Sequence, residues 1–316
     1  MAAAAVVLPA ALAACGTQPK TAAVHGTANV AYAGSLQDVN DVRIGPAFQR
    51  ATGNQYQGQG GGSFGVAQEI ASKTIAPNVF ESVGYAPIHV LEPKFTTWAV
   101  SFAASPLVLA YNPKSPFASQ LNAIRTGKEP LKDLFTLMAN PEFHLGRTNP
   151  NTDPQGQAFY LMVELAQQQY NLPASLPNRV LGALDNPHQI YSETGILSLL
   201  QSGGLDASSA FLSEAVQRHL DYIKLPDTLN FANPKDNGVY AKASVKLDNG
   251  SVVHGSALTV DITTIGKPAP AAVSFIRYVL SRHGQALMRK GGYDVFGPLV
   301  LGRRSAVPSG LTGLLK

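Results

Sequence analysis

The segment that most constrains the fold of this chain is a strand that ends in a glycine-serine corner and leads directly into a helix. Residues 29–33 alternate small and apolar side chains, Gly34 and Ser35 form the corner, and residues 36–44 place apolar side chains at helical spacing. Gly34 lets the backbone approach a ligand closely, and Ser35 supplies a hydroxyl group and a helix N-cap. Such a corner is suited to an anion, but many strands of α/β proteins end in this way without a ligand.

Further helix starts follow polar turns later in the chain. The glycine-rich residues 57–66 place Gly62 and Ser63 before a helical segment, and no Gly-Lys-Ser/Thr motif follows, which excludes a P-loop. Asp153 before Pro154 combines an N-cap with proline at the first helical position. Residues 191–194 begin another helix, which ends at Gly203-Gly204.

The order of strands and helices predicts an α/β protein with two lobes. The apolar run 98–111 is interrupted by Ser105-Pro106, so its halves are expected to lie in different lobes, and the strand 260–265 is expected to lead the chain back. The predicted lobes are discontinuous: one is 27–104 plus 259–316, and the other is 105–258. Ligands of open α/β sheets bind beyond the carboxyl ends of the strands, where the glycine-serine corners lie.

The second half of the chain supplies a hairpin and two late helices. Asp248-Asn249-Gly250 predicts a tight turn between strands 239–247 and 251–258. Helices 270–280 and 283–290 are expected to complete the fold, and the first of them carries a buried apolar stripe. We expect hinges near Ser105-Pro106 and residues 257–260.

The first residues resemble the leader of a bacterial lipoprotein. An apolar, alanine-rich stretch leads to Leu-Ala-Ala-Cys-Gly, which resembles a lipobox and implies that Cys15 is lipidated. No Lys or Arg precedes the apolar run, and a buried structural cysteine is the alternative. Residues 16–26 then form a polar tether. Cys15 is the only cysteine, so no disulfide forms within one chain. This interpretation predicts an extracytoplasmic protein, lipid-anchored to the cell membrane.

Composition and motifs argue against two broad classes. The net charge of +4 and pI of 9.1 are accompanied by no run of Lys and Arg, so we expect no nucleic-acid partner. The sequence carries no GxSxG or HExxH motif, and its seven histidines are scattered, so we expect no enzyme and no cofactor.

Several runs in order resemble the extracellular solute-binding proteins of ABC importers, in the tungstate/molybdate-binding family. They include Ala33-Gly34-Ser35-Leu36, Gly62-Ser63, the GRxxPNxDPxG run of residues 146–156, Leu199-Leu200-Gln201-Ser202-Gly203 and Tyr222-Ile223-Lys224-Leu225-Pro226. The resemblance implies a periplasmic-binding-protein type II fold with a ligand cleft between discontinuous lobes. It also implies molybdate or tungstate as the ligand, an ABC permease with its ATPase subunit as partners, and a monomer.

The resemblance also assigns the ligand-binding residues. One lobe would contribute Gly34, Ser35 and Ser63, and the other would contribute Asp153 and Gln155. Weaker candidates are Gly62, Ser105 and Ser192; the alternatives for the two serines are a turn residue before Pro106 and an ordinary helix cap. Neutral hydroxyl and amide donors suit a dianion removed from water.

Asp153 raises a separate question, because a carboxylate facing a dianion is repulsive. In the family this aspartate and a later glutamate coordinate the metal centre of the oxyanion, but the resemblance places the second carboxylate at Ala210. Glu214 lies one helical turn further and could substitute. Either Asp153 is chiefly an N-cap and the ligand stays tetrahedral, or the ligand is another oxyanion such as sulfate. The alternative role of Asp153 is contact with the metal centre of the oxyanion, and no other metal ligand is expected.

Two other functions are considered from the sequence. A ferric-iron receptor would need clustered tyrosines, for which Tyr191, Tyr222 and Tyr240 are candidates. A surface or adhesion lipoprotein would bind no small solute.

Overall fold

The structure, a computed structural model, describes residue 1 and residues 26–315. The prediction of a lipidated Cys15, and that of a tether except for Gly26, fall on residues outside this described part. Among the described residues, no helix combines the length and the apolar character required to cross a bilayer.

Strands and helices alternate through the described part. Its strands are β1 (Thr27–Ala33), β2 (Gln55–Gly61), β3 (Val79–Val83), β4 (Trp98–Ala104), β5 (Leu107–Tyr111), β6 (Leu145–Gly146), β7 (Ala207–Phe211), β8 (Asp221–Lys224), β9 (Ser244–Lys246), β10 (Val252–His254), β11 (Thr259–Thr264) and β12 (Asp294–Gly302). Its α-helices are α1 (Gly45–Thr52), α2 (Ser63–Ser72), α3 (Ala86–His89), α4 (Ala118–Arg125), α5 (Lys132–Met138), α6 (Pro154–Gln169), α7 (Leu176–Leu181), α8 (Glu193–Ser202), α9 (Leu212–Gln217), α10 (Asp227–Asn230), α11 (Asn237–Tyr240), α12 (Pro270–Leu280), α13 (Arg282–Lys290) and α14 (Ser309–Thr312).

The larger sheet has six strands in the order β12-β4-β11-β3-β1-β2. β1 is parallel to both β2 and β3, whereas β11 is antiparallel to β3 and β4. Ala33 pairs with Gly61 at the carboxyl ends of β1 and β2. The two glycine-serine corners, which directly follow these strands, therefore lie side by side at one edge of the sheet.

The smaller sheet has four strands in the order β6-β7-β5-β8. Only Ser105-Pro106 separates β4 of the larger sheet from β5 of the smaller one, and β11 leads the chain back to the larger sheet. The predicted two-lobed α/β architecture is confirmed, with one of these two sheets in each lobe and a separate two-stranded antiparallel sheet of β9 and β10. The exact lobe boundaries stay a prediction. We call these the larger-sheet lobe and the smaller-sheet lobe.

Most predicted helix ends are confirmed by their capping bonds. Asp153 accepts a hydrogen bond from the Gln155 N–H at 2.7 Å and starts α6 at Pro154. Ser192 accepts one from the Gly195 N–H at 3.2 Å and starts α8, which ends at Gly203 with a φ of 89°. The side chains of both cap residues therefore already accept a backbone hydrogen bond.

Three predicted elements differ from the structure. After β1 the chain forms a short 3₁₀ turn and the π-helix Val39–Ile44, and Ser35 caps neither. The predicted strand 239–247 is reduced to β9, because Tyr240 instead stacks on Phe231 in a buried cluster at α11. β12 was not predicted, and it follows the helices that were expected to complete the fold. The register of its pairing with β4 shifts between Val295 and Leu299, around a proline that interrupts the strand pattern.

α6 is the central helix of the smaller-sheet lobe, and most of its residues are buried, including those of its first turn. Its buried polar side chains must therefore find partners inside the protein. Gln157 donates to the Pro150 carbonyl at 2.9 Å, which fixes the turn that precedes the helix. Gln155 makes a larger set of bonds at the interface between the lobes.

Candidate functional site

A cavity of about 400 Å³ lies between the two lobes. Both lobes contribute to it, through residues that follow the carboxyl ends of β1, β2 and β6 and through the start of α8. Its lining consists of Gly34, Gln37, Gly60, Gly61, Gly62, Thr148, Asn149, Thr152, Asp153, Ile190, Tyr191, Ser192, Glu193 and Thr194.

The first corner contributes Gly34 to the cavity and a buried serine beside it. A Cβ atom at position 34 would collide with the carboxyl group of Glu193, so only glycine permits this approach of the two lobes. Ser35 is 3% exposed, and its Oγ has no hydrogen-bond partner of normal geometry. Its carbonyl accepts a hydrogen bond from the Tyr293 hydroxyl at 2.7 Å. The corner thus has a fixed backbone and a free hydroxyl group.

The second corner is already bonded to the opposite lobe. The N–H groups of Phe64 and Gly65, in the first turn of α2, donate to the Thr152 carbonyl at 3.1 and 3.2 Å. A Cβ atom at Gly62 would lie 2.8 Å from this same carbonyl oxygen. Ser63, like Ser35, is buried outside the cavity lining; its Oγ accepts a hydrogen bond from the Val83 N–H at 3.2 Å, which leaves the hydroxyl proton to donate. The lobes are therefore in direct contact at this corner.

Gln155 connects the polar groups beneath the cavity. Its Nε2 donates to Glu214 at 2.9 Å and to Glu193 at 3.4 Å, and its Oε1 accepts from the Ser209 hydroxyl at 2.8 Å. The side chain is fully buried and lies outside the cavity lining. Gln155, predicted as a ligand contact, thus lies with its amide among carboxyl groups.

Three buried carboxyl groups lie close to Gln155: those of Glu193 and Glu214, which bond to its side-chain amide, and that of Asp153, which bonds to its backbone N–H. Burial raises the pKa of each; two backbone N–H groups near Asp153 lower its pKa in part. The other two carboxyl groups raise the pKa of Glu193 further, and the nearby hydroxyl and N–H of Ser35 lower it. Repulsion among the three opposes full ionisation of the cluster. Among the described residues, no group of three or more His, Cys, Asp or Glu side chains is arranged to bind a metal ion.

The remaining predicted residues lie at different distances from the cavity. Ser192 lines it while capping α8. Ser105 is buried outside the lining, where its Oγ accepts a hydrogen bond from the Ser213 N–H at 2.9 Å. Ala210, where the resemblance placed the second carboxylate, is buried in β7. Glu214, the suggested substitute, belongs to the carboxyl cluster outside the cavity lining and accepts a hydrogen bond from the Phe211 N–H at 2.7 Å.

Two residues at the cavity were not singled out from the sequence. Glu193 had the ordinary signature of an acidic residue in a first helical turn, and nothing in its neighbours indicated the contact with Gly34. Thr148 belongs to the GRxxPNxDPxG run; its Oγ1 is buried and has no hydrogen-bond partner. Ser35 and Thr148, from opposite lobes, therefore both have buried hydroxyl groups without a hydrogen-bond partner of normal geometry.

Arg147 fixes the segment that brings Glu193 to the cavity. This arginine is fully buried, and its guanidinium donates to the carbonyls of Ala183 and Leu184 at 2.9 and 3.0 Å and to the side chain of Gln189 at 3.1 Å. Burial lowers its pKa to about 10. Its backbone also bonds to Gln189 and Tyr191, directly before α8. Arg147, part of the GRxxPNxDPxG run, therefore positions the segment before α8 that lines the cavity.

The cavity combines neutral donors with a carboxyl cluster. Comparison with known proteins identifies the family of the chain. The model of the bacterial extracellular solute-binding protein family matches residues 28–294. A solute-binding protein of Saccharolobus solfataricus is 30% identical over 286 residues, which cover 85% of this chain and 71% of the relative. The molybdate/tungstate-binding protein WtpA of Pyrococcus abyssi is 25% identical over 83% of this chain and 80% of its own length.

Solved structures share the fold at low sequence identity. The periplasmic molybdate-binding protein of Azotobacter vinelandii has a TM-score of 0.57 and 16% identity, over 85% of this chain and 98% of that chain. The sulfate-binding protein SubI of Mycobacterium tuberculosis has a TM-score of 0.53 and 11% identity, over 92% of this chain and 91% of that chain. With the family match over most of the sequence, these findings lead to one conclusion: the chain belongs to the bacterial extracellular solute-binding proteins.

Proposed function

We propose that this protein binds a tetrahedral oxyanion, molybdate or tungstate, in the cleft between its lobes and delivers it to an ABC importer. The observation that carries the proposal is that Gly34, Gly62, Thr148 and Asp153 line one cavity, while Ser35 and Ser63 are buried directly after the two glycines, outside the lining. The donors at these positions are uncharged hydroxyl and backbone N–H groups, which bind an oxyanion without a neutralising cation.

Relatives support the choice of ligand. The Pyrococcus abyssi relative carries molybdate and tungstate in its name, and it aligns with most of this chain. The GRxxPNxDPxG run, which suggested the same ligand from the sequence, forms the turn of residues 147–153 that enters the cavity.

The affinity depends on preorganisation. A hydrogen bond to a charged group contributes about 1.5–3 kcal/mol, so six such bonds give a gross gain of about 9–18 kcal/mol. Association costs about 4–15 kcal/mol in lost freedom of motion, which can consume most of that gain. The bonds of Phe64 and Gly65 to the opposite lobe favour the closed cleft and thereby reduce the freedom to be lost.

In this proposal the closed form docks on a membrane permease that works with an ATPase subunit. Lobe closure takes place about hinges near Ser105-Pro106 and residues 257–260. The protein acts as a monomer, tethered outside the cytoplasm by a lipid on Cys15, and carries out no catalysis.

The alternatives are distinguished by geometry and by ligand. The three tyrosines considered for ferric iron lie apart: Tyr191 lines the cavity, Tyr222 lines a separate groove, and Tyr240 is buried and donates to the Asp227 carbonyl. That arrangement does not support a tyrosine-based iron site. Sulfate remains the second candidate, because Asp153 is engaged as a helix cap and position 210 carries no carboxylate.

Isothermal titration calorimetry with molybdate, tungstate, sulfate and phosphate tests the proposal. We expect saturable binding of molybdate and tungstate that is tighter than binding of phosphate. Tighter binding of sulfate would move the assignment to the second candidate, and binding of none of the four oxyanions would refute the function. A surface lipoprotein without a small ligand would also show no ligand-dependent rise in Tm.

The residues are tested by the double variant Ser35→Ala plus Ser63→Ala, which we expect to weaken oxyanion binding at least about 100-fold, because it removes two donors to an anion. Ser208→Ala is the matched control, since Ser208 is also buried with an unpartnered Oγ but belongs to β7 rather than to either glycine-serine corner. Because Ser63 also accepts from Val83, thermal unfolding must show that the double variant remains folded. Unchanged affinity in a folded double variant would contradict the assigned site.

A further inference from the structure

The carboxyl group of Glu193 lies against the first glycine-serine corner, although it comes from the opposite lobe. Glu193 is the first residue of α8 in the smaller-sheet lobe, and its side chain is 5% exposed. A Cβ atom added to Gly34 would collide with its Oε2 and would lie 3.0 Å from its Cβ. An acidic group of one lobe therefore covers the corner at which the other lobe would bind an anion.

The hydrogen bonding of Glu193 is incomplete. Its Oε1 receives one long bond, 3.4 Å from Nε2 of Gln155, and its Oε2 has no partner of normal geometry. The buried hydroxyl of Ser35 is likewise unpartnered. None of the ion pairs in the described part of the chain includes Glu193. This carboxyl group lacks the partners that a purely structural buried acid requires.

The groups that face Glu193 from neighbouring elements disfavour a second anion beside it. They are the carboxyl groups of Asp153 before α6 and Glu214 in α9, together with the phenol of Tyr293. The hydroxyl and N–H of Ser35 are the donors close to its carboxyl group. The Glu193 side chain fills the space directly beside Gly34, where an oxyanion would have to lie, so the oxyanion and the carboxyl group cannot occupy the corner together.

We propose that Glu193 is an internal substitute for the oxyanion: its carboxyl group covers Gly34 and Ser35 in the unliganded closed cleft, and the oxyanion binds by displacing it. This inference rests on the proposed function for the identity of the ligand, but the contact between the lobes does not depend on that identity. Glu193 then lowers the affinity for the oxyanion and holds the cleft closed without it.

The size of the effect follows from the population of the covered corner. If the covered state makes up about 90% of unliganded molecules, the apparent affinity is about tenfold weaker than that of an uncovered cleft. Glu193→Ala removes the covering group, and we expect it to bind molybdate about tenfold more tightly than the unmodified protein. Because burial and the neighbouring carboxyl groups raise the pKa of Glu193, Glu193→Gln is compared at a pH high enough to ionise Glu193. There it retains the size but not the charge, and it should also bind more tightly.

Glu214→Gln is the matched control for charge. Glu214 belongs to the same buried cluster, but it is bonded to the Phe211 N–H and to Gln155 rather than placed at Gly34. A general electrostatic effect would tighten binding equally in the Glu193→Gln and Glu214→Gln variants. Displacement predicts a clearly larger gain at position 193, and equal gains would overturn it.

The test combines calorimetry with small-angle X-ray scattering on the full chain. The expected result is tighter molybdate binding by Glu193→Ala and a larger radius of gyration of this variant without ligand, because the cleft is no longer held closed. Unchanged or weaker binding would overturn the inference and leave the proposed function intact. If no variant and no unmodified protein binds an oxyanion, the proposed function fails, and an unchanged radius of gyration then refutes the covering contact as well. Should Glu193→Ala not fold, the affinity of Glu193→Gln decides the question in the same way.

Discussion

The burial of Glu81 leads to a quantitative prediction about pH and stability. Glu81 lies in β3 and is 1% exposed; its Oε2 accepts a hydrogen bond from Asn40 in the π-helix, and its Oε1 has no partner. Burial raises its pKa from 4.5 to about 7, and the hydrogen bond from Asn40 offsets only part of this. The ionised form is therefore unfavourable within the larger-sheet lobe, beside the segment that follows the first corner.

The magnitude follows from the difference between the folded and unfolded pKa. At 1.36 kcal/mol per pKa unit, a rise from 4.5 to about 7 corresponds to ~3 kcal/mol. Because the folded pKa is the higher one, this stabilising contribution is complete below pH 4.5 and is lost as the pH rises to about 7. Glu81→Gln keeps the shape but cannot ionise. We expect this variant to match the unmodified protein near pH 4.5 and to be ~3 kcal/mol more stable at pH 8.

Urea unfolding at several pH values between 4.5 and 8 measures this difference. Glu69→Gln is the control, because Glu69 is exposed on α2 and its substitution should leave the pH dependence unchanged. Other buried carboxyl groups, such as Asp261, titrate in both proteins and cancel in the comparison. If Glu81→Gln shows the same fall in the free energy of unfolding as the unmodified protein, Glu81 does not ionise at a penalty, and the reasoning is wrong.

Two further substitutions test the start of α6. Asp153→Asn should preserve or tighten oxyanion binding. Because asparagine also caps helices, the free energy of unfolding should change by less than about 1 kcal/mol. A loss of affinity of about 100-fold by calorimetry would mean that the carboxylate contacts the metal centre of the ligand. Gly156→Ala should destabilise the protein by about 1–3 kcal/mol in urea unfolding, because its Cβ would lie 2.5 Å from the Thr148 carbonyl oxygen. Gly65→Ala is its control: no atom lies within 4 Å of a Cβ there, so stability should rise by up to about 1 kcal/mol, and equal behaviour of the two variants would refute the packing argument.

The sequence correctly predicted helix starts and turns that depend on neighbouring residues. Asp153-Pro154 started α6, Ser192 started α8, and Gly250 turned the hairpin with a φ of 83°, because each of these signals acts through the backbone of its own segment. The interruption at Ser105-Pro106 also marked the passage between the two sheets. Such signals need no knowledge of distant residues.

Strand predictions based on the local sequence pattern were wrong where tertiary packing determined the structure. Residues 239–240 have strand-forming side chains, but Tyr240 gained more from stacking on Phe231 and from a bond to the Asp227 carbonyl than from pairing in β9. β12 was missed because glycine and proline interrupt a strand whose other residues pair at the sheet edge.

The candidate site divides in the same way. The sequence alone determined that Gly34-Ser35, Gly62-Ser63 and Asp153 stand at the starts of helices or turns, because this depends on residues next to one another. Only the tertiary structure decided that Glu193 lies against Gly34 and that the Gln155 side chain joins two carboxyl groups and the Ser209 hydroxyl, because these partners are 38 or more residues apart in the chain. Burial, charge repulsion and competition for the same donors arise only when the two lobes meet, and no single segment carries them.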